Sequence, residues 1–339
     1  MPGVGSGSTV AGMGTVEGWP AGIEARPVDK ADAGAWAELL AAKEKVDQEG
    51  ENYDVDDLVE ELSDPKLDPE KDTIGLWAGD AMVGYAAVRW RANVLDVDRV
   101  GTEGTVHPQW RGRGIGAALM PWIIRRAGEV HAERHPEVDG EINTSAISTN
   151  TGAHALLISH GFEECRYFFH MQRAFDTPVP EVTTPEGLRV VAFDPSHDRA
   201  MLGAHNEAFL DHWGATPKDE ETWKVWYTGS RAFRGGVSRL VLDGDKIVAY
   251  ALGYEYVADT EATGIREIYI GQVGTLRSHR GRGLARLALA ELMTESQRTG
   301  YQRASLGVDA DNPTGALGLY ERLGFTQVSK TISYRLPLN

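Results

Sequence analysis

Apolar positions along this chain recur in two series that run through the same order of elements. From residue 188, β-branched and alternating runs predict strands at 188–193, 238–243, 246–257 and 266–276, with a hairpin turn at Gly244-Asp245 between the second and third. Helical spacing covers 198–213 and 220–227. A glycine-rich turn then opens a helix over 283–299, followed by a strand at 303–309, a helix at 313–323 and closing strands at 325–330 and 332–336. The earlier part of the chain repeats this order, from the strand-like 23–28 through helical 33–46 and 55–62 to apolar runs at 73–90 and 96–106. A matching turn, a helix to about 132, a strand at 140–146, a helix at 151–161 and a strand at 162–174 complete it. Each half therefore reads as an α/β domain, a mixed and largely antiparallel central sheet flanked by helices. Residues 1–21, rich in Gly, Ser and Thr without a hydrophobic period, read as a flexible arm. The three prolines within 176–187 mark a linker between an N-terminal domain at 22–175 and a C-terminal domain at 188–339.

The repeated turn carries the first chemistry. "WRGRGIGAALMPWI" (110–123) and "HRGRGLARLALAEL" (279–292) both place an arginine and small residues where a strand feeds a helix. The first backbone N–H groups of a helix have no intrahelical partner, the helix end adds a positive dipole, and glycine admits a bulky anion close to the backbone. A pyrophosphate suits such a site, held by Arg111, Gly112, Arg113, Gly114, Ile115 and Gly116 in one half and Arg280, Gly281, Arg282, Gly283, Leu284 and Ala285 in the other. The spacing is neither that of a P-loop nor that of a Gly-x-Gly-x-x-Gly dinucleotide turn. A net charge of −16 over 339 residues argues against nucleic acid and anionic membrane surfaces as partners, and favours a neutral or cationic small substrate. The single Cys165 excludes an intramolecular disulfide and a multi-cysteine zinc site, so no metal is expected. No apolar run approaches the roughly 18–20 residues that span a bilayer, and the expected location is the cytoplasm.

Arg-x-x-Gly-x-Gly/Ala after a strand resembles the coenzyme A pyrophosphate turn of the GNAT superfamily of acyl-CoA N-acyltransferases. "NPTGALGLYERLGF" (312–325) is similar to that family's Asn-x-x-(x)-Ala-x-x-x-Tyr-x-x-x-Gly-Phe signature. From about residue 22 onward the chain resembles two such domains in tandem, as in the mycothiol synthase group. The resemblance implies acetyl-CoA as cofactor and a sheet splayed beside the fourth strand, where the pantetheine arm pairs with backbone at Val273 and Thr275, and at Val106 in the first half. It places Asn312 at the cofactor and makes Tyr320 the acid that protonates the leaving thiolate. It also implies a glutamate base on the fourth strand, acting directly or through water. Glu267 is the candidate, two residues before the usual position, which Tyr269 occupies. Asp211, His212 and Trp213 fall on the segment that walls the acceptor pocket. Phe209, Trp213, Trp223, Trp226 and Tyr227 form either that wall or a helix-pair core.

The two halves diverge at the acid: aligning Gly161-Phe162 with Gly324-Phe325 sets Leu157 opposite Tyr320. The first domain is thus expected to be catalytically degenerate, holding acyl-CoA or serving as a structural repeat, and the second to be catalytic. The expected activity is acetyl transfer from acetyl-CoA to the primary amine of a small molecule in a ternary complex. A mycothiol-pathway cysteinyl pseudodisaccharide, an aminoglycoside or other antibiotic, and an amino-acid-like amine are acceptors to consider. A non-catalytic acyl-CoA sensor or scaffold, and an acetyltransferase for protein amines, are the alternatives. A monomer with an internal pseudo-dimer is expected rather than an obligate oligomer.

Overall fold

The computed structural model describes residues 18–210, 214–311 and 315–338. In the first half β1 (Glu24–Arg26) precedes α1 (Ala33–Asp47), α2 (Val55–Glu61) and α3 (Pro69–Asp72). The hairpin β2 (Thr73–Ala78) and β3 (Ala81–Arg89) leads to β4 (Val97–Val106), α4 (Ile115–Arg134), β5 (Asp139–Ile147), α5 (Thr151–Ser159) and β6 (Glu163–Ala174). The second half runs β7 (Leu188–Ala192), α6 (Asp198–Phe209), α7 (Glu220–Trp226), β8 (Arg239–Asp243), β9 (Lys246–Tyr254) and α8 (Val257–Thr263). It continues with β10 (Glu267–Thr275), α9 (Leu284–Arg298), β11 (Arg303–Asp309), α10 (Ala316–Arg322) and β12 (Thr326–Leu338).

Helix starts differ in how their first N–H groups are met. Asp54 opens α2 with a capping box closed by Asp57, and Asp219 opens α7 by accepting from the Thr222 N–H, so these ends satisfy their own donors. By contrast α4 and α9 start from Gly114 and Gly283, at φ of +83° and +76°, with no side-chain cap. Their first N–H groups are left for something else to bind.

The sheets of the two halves are continuous. The twelve strands of the described residues form one sheet in the order β1-β2-β3-β4-β5-β12-β6-β11-β10-β9-β8-β7, so that β6 of the first half pairs with β11 and β12 of the second half pairs with β5. The two closing strands expected near the C-terminus are a single strand with a register shift between Gln327 and Ser329. Each half buries its own apolar face: Leu76, Val88, Ile142 and Ala127 lie in one core, Leu240, Leu252, Ile268 and Leu289 in the other. The strand expected to run to 257 stops at Tyr254, where helix α8 begins three residues on and returns the chain to β10; its seven residues carry no apolar period that marks a helix. Among the described residues no helix is long and apolar enough to cross a membrane.

The parallel ladder of each half is short. β4 pairs with β5 only from Val97 to Gly101, and β10 with β11 only from Glu267 to Tyr269. On its other edge β5 pairs with β12 from Gly140 to Ile147, and β11 with β6 from Arg303 to Asp309. Each half thus opens a cleft between Thr102–Val106 and Thr144–Ile147, or between Gln272–Thr275 and Leu306–Asp309.

Candidate active site

Both turns adopt the conformation that an anion cradle requires. Gly112, Gly114, Gly281 and Gly283 all have positive φ, and a Cβ built on any of them meets nothing within 4 Å. The space over each turn is open, and side chains there would be strained in backbone while filling it. The leading arginines turn inward to brace the loop. Arg111 makes a bidentate pair with Asp47 (2.7 and 2.7 Å) and donates to the Val106 carbonyl at 3.2 Å. Arg280 donates to the carbonyls of Thr275 (3.3 Å) and Ala208 (3.0 Å). Arg113 stacks on Trp110, and Arg113 and Arg282 are both exposed. Ile115 and Leu284 are buried and anchor the helix starts, whereas Gly116 faces Leu156 so closely that a Cβ would lie 3.0 Å from it. Ala285 stands at that place in the second half.

Val106, Val273 and Thr275 lie on the free lengths of β4 and β10, beyond the last parallel rungs, where the resemblance put them. The Thr275 hydroxyl is buried and has no hydrogen-bond partner among the described residues. A buried hydroxyl with no partner, on the strand that leads into the glycine turn and beyond its last parallel rung, is a polar group that a bound coenzyme A would satisfy. Asn312, Asp211, His212 and Trp213 lie outside the described residues.

A cavity of 940 Å³ runs from the first half's turn across the middle of the sheet. Its first end is the cleft of the N-terminal half, with Arg111, Gly112, Gly114, Asn150 and Leu157 on its walls. Its far end is floored by Glu267, Tyr269, Ser305 and Gly307 of β10 and β11. The fold makes this continuity: because β6 and β12 are shared, the floor of one half's cleft runs directly into that of the other. Carboxylates crowd the middle. Glu61 is pushed up to about 8 by burial and by the nearby Glu103, with Arg89 bonded to both opposing the shift. Burial likewise raises Asp259 to about 6 against the opposing hydrogen bonds of Asn52. Among the described residues no cluster of His, Cys, Asp and Glu has the arrangement of a metal site.

Tyr320 sits in α10, 8% exposed, its ring edge-on to Phe325 at 6.0 Å. Burial, reinforced by the neighbouring Tyr269, pushes its phenol up to about 12. Leu157, at the matching place in α5, is equally buried and carries no proton. Glu267 lines the cavity, but Arg303 and the Ser305 hydroxyl occupy its two carboxylate oxygens. The aromatic segment divides. Trp223 is buried and stacks on Tyr227 at 4.6 Å, and Phe209 stacks on His205 at 4.5 Å, while Trp226 lies on the cavity wall with its indole N–H on Asp64. Sequence reasoning missed His170, Asp259, Glu61 and Glu103, which meet at the cavity from four different elements. Their only sequence signal is charge on segments otherwise reading as apolar strand or amphipathic helix.

Two family models match this chain: residues 199–325 match the Acetyltransferase (GNAT) family and residues 71–164 the Acetyltransferase (GNAT) domain. A mycothiol acetyltransferase of Salinispora arenicola is 30% identical over 245 residues, 69% of this chain and 72% of that protein. Another, of Thermobispora bispora, is 29% identical over 270 residues, 77% of this chain and 82% of that protein. A solved GCN5-related N-acetyltransferase from Sphaerobacter thermophilus shares the fold with a TM-score of 0.75 at 28% identity, covering 94% of this chain and 97% of that one. The chain belongs to the GNAT acetyltransferase family and carries two GNAT domains in tandem. It is an acetyltransferase, and acetyl-CoA is its acyl donor.

Proposed function

We propose that the protein moves the acetyl group of acetyl-CoA to the primary amine of a small molecule by direct attack in a ternary complex, with the second half catalytic. What supports this reading is a buried Tyr320 on α10, its phenol raised by burial and by Tyr269, with Tyr269 in turn lining the cavity at the last parallel rung of β10 and β11. Acetyl-CoA supplies an acetyl thioester. The turn from Arg280 to Ala285 would hold its pyrophosphate, and the free edge at Val273 and Thr275 its pantetheine arm. Backbone donors released by the splay polarise a carbonyl oxygen placed against them. Tyr320 keeps its proton through the neutral range and so stands as the donor to a departing sulfur. Glu267, held by Arg303 and Ser305, offers negative charge at the cavity floor to an approaching ammonium.

The first half retains the turn and an open cleft but has Leu157 where the acid belongs, so it holds acetyl-CoA without turning it over. The name shared by the relatives puts a mycothiol-pathway cysteinyl pseudodisaccharide first among acceptors to try, with aminoglycosides next. The test is release of coenzyme A thiol from acetyl-CoA against a panel of D-glucosamine, a cysteinyl amino sugar, kanamycin and lysine, with mass spectrometry of the products. One acetyl group on one amine is the expected product. Binding of acetyl-CoA with no consumption beside any amine would overturn the reading in favour of a sensor.

A further inference from the structure

His170 belongs by sequence to the first half, yet β6 carries it into the sheet of the second. Register sets it opposite Gly307 of β11 on one side and Ser329 of β12 on the other. Residues opposite one another on adjacent strands share a face, and both neighbours are small, which leaves room for an imidazole above the sheet. That face is the cavity floor, where His170, Gly307, Ser329, Ser305, Tyr269 and Glu267 line the same space.

The ring is held from one side. The Glu49 backbone stands beside it as an acceptor, and Gly50 packs so near that a Cβ there would meet Cε1 at 3.2 Å. Nε2 is buried and has no hydrogen-bond partner among the described residues. A neutral imidazole whose N–H is spent on a backbone carbonyl keeps a lone pair on its other nitrogen, which is the form a general base requires. Burial lowers the ring's pKa below the ordinary 6.5, the charge of Glu267 raises it, and Arg303 lowers it. Around it stand Glu49 and Glu51 of the loop after α1, Asp259 of α8, and Glu267 with Arg303 of β10 and β11. Lys330, next to Ser329, reaches instead over the ring of Tyr167. Glu267 by contrast has both oxygens engaged by donors, which leaves it better placed to stabilise an imidazolium than to take a proton itself.

We propose that His170, delivered by the exchanged strand β6, is the base that takes the proton from the acceptor amine, with Glu267 as the carboxylate that steadies the resulting imidazolium. The proposal rests on the second half being the catalytic one. The ring takes one proton from the ammonium, and the amine nitrogen then forms its bond to the acetyl carbon as the carbon–sulfur bond breaks. Tyr320 donates to the departing sulfur and regains a proton from the second one released by the nitrogen. The imidazolium returns its proton to water, so acetyl-CoA and an ammonium give an acetamide, coenzyme A thiol and one proton.

The experiment has two arms, both on the full chain. In the first, histidine resonances are titrated by NMR without any ligand, His170 being assigned by its loss in His170→Gln. Its pKa is expected below 6.5, and lower still in Glu267→Gln, which removes the charge that raises it. A ring already protonated at neutral pH, or one indifferent to Glu267→Gln, would overturn the proposal. In the second, kcat/KM against pH is compared for wild type and His170→Gln with whichever panel amine is acetylated. A loss of at least about tenfold near neutral pH, with the acetyl-CoA thermal shift unchanged, is expected. An unchanged rate and acid limb in His170→Gln would contradict it. Absence of turnover with every amine would break the functional reading, while the titration alone still decides whether His170 is poised as a base.

Discussion

Two rungs before the parallel ladder ends, each half of the molecule holds an arginine and a glutamate across the same strand pair, with their places exchanged. In the first half Arg99 of β4 faces Glu141 of β5, bridged at 2.8 Å; in the second Glu267 of β10 faces Arg303 of β11. Both pairs tie the ladder at the point where the strands part. Only the second puts the carboxylate on the strand that runs into the pyrophosphate turn. The same inequality continues outward: Tyr320 stands against Leu157, and Thr275 with its unpartnered hydroxyl against the apolar Val106. Under the proposed function, the repeat keeps its fold and its turn while the proton-moving groups stand on one side alone, because the ladder needs an ion pair of either polarity and the proposed chemistry needs one polarity only.

The comparison yields experiments of decreasing size. Tyr320→Phe keeps the ring against Phe325 and removes the proton, so kcat should fall by about 10–10³-fold with acetyl-CoA affinity unchanged. Leu157→Tyr should restore nothing, since Arg99 still stands where the second half has Glu267. A wild-type rate in Tyr320→Phe would erase the asymmetry. Next in size is Glu255, which follows β9 in a cluster with Arg266, Arg234 and Tyr301. Although burial opposes it, hydrogen bonds from Arg266, Arg234 and Tyr301 hold this carboxyl down at about 2. A depressed folded pKa contributes stability above the unfolded value, roughly 4.3, and loses it as pH falls toward 2. Glu255→Gln should therefore cost about 1–2 kcal/mol at pH 7 and progressively less between pH 4 and pH 2, read by thermal or urea unfolding. An equal loss at both ends of that range would dismiss the cluster as a source of stability.

Thr275→Val makes the second cleft resemble the first. Removing a buried hydroxyl that has no partner should leave the ligand-free protein as stable or up to about 1 kcal/mol more so. The KM for acetyl-CoA should rise a few-fold, with kcat nearly unchanged. A destabilised ligand-free protein would mean that the hydroxyl has a partner within the fold. The smallest effect is an absence. With Tyr320 pushed up to about 12, kcat should show no alkaline loss between about pH 8 and pH 10, where an ordinary phenol would begin to deprotonate. A limb near pH 10 that vanished in Tyr320→Phe would place the tyrosine in contact with water.

What the sequence disclosed and what it withheld divide along physical lines. Periodicity and the glycine turns sufficed for the order of elements and for the two open turns at α4 and α9, because both are local: a positive φ and an uncapped helix start are properties of five or six consecutive residues. The exchange of β6 and β12 between the halves was not legible, since either strand would read the same beside its own half. With it went the continuous sheet, the cavity across the middle and the meeting of His170 with Glu267. Spacing along β10 also does not carry over directly from β4. A bulge between Ile270 and Gln272 leaves Tyr269 as the last rung, where β4, with no bulge, ends its ladder at Gly101. Gly271 allows that bulge beside Tyr254, whose ring a Cβ would meet at 2.8 Å. A carboxylate displaced along the strand by such a bulge is visible only in register, not in spacing.

The claim that both turns bind but one half works is tested most directly by the matched variants Gly114→Val and Gly283→Val. A branched side chain at either place is strained by the positive φ and fills the open space over the turn. Acetyl-CoA titrated calorimetrically into each variant, beside the steady-state rate with one acetylated amine, gives stoichiometry and turnover together. The account predicts one site lost in each variant, with the rate largely kept in Gly114→Val and reduced by at least about a hundredfold in Gly283→Val. Activity abolished by Gly114→Val in a folded protein, and spared by Gly283→Val, would place catalysis in the first half and contradict it.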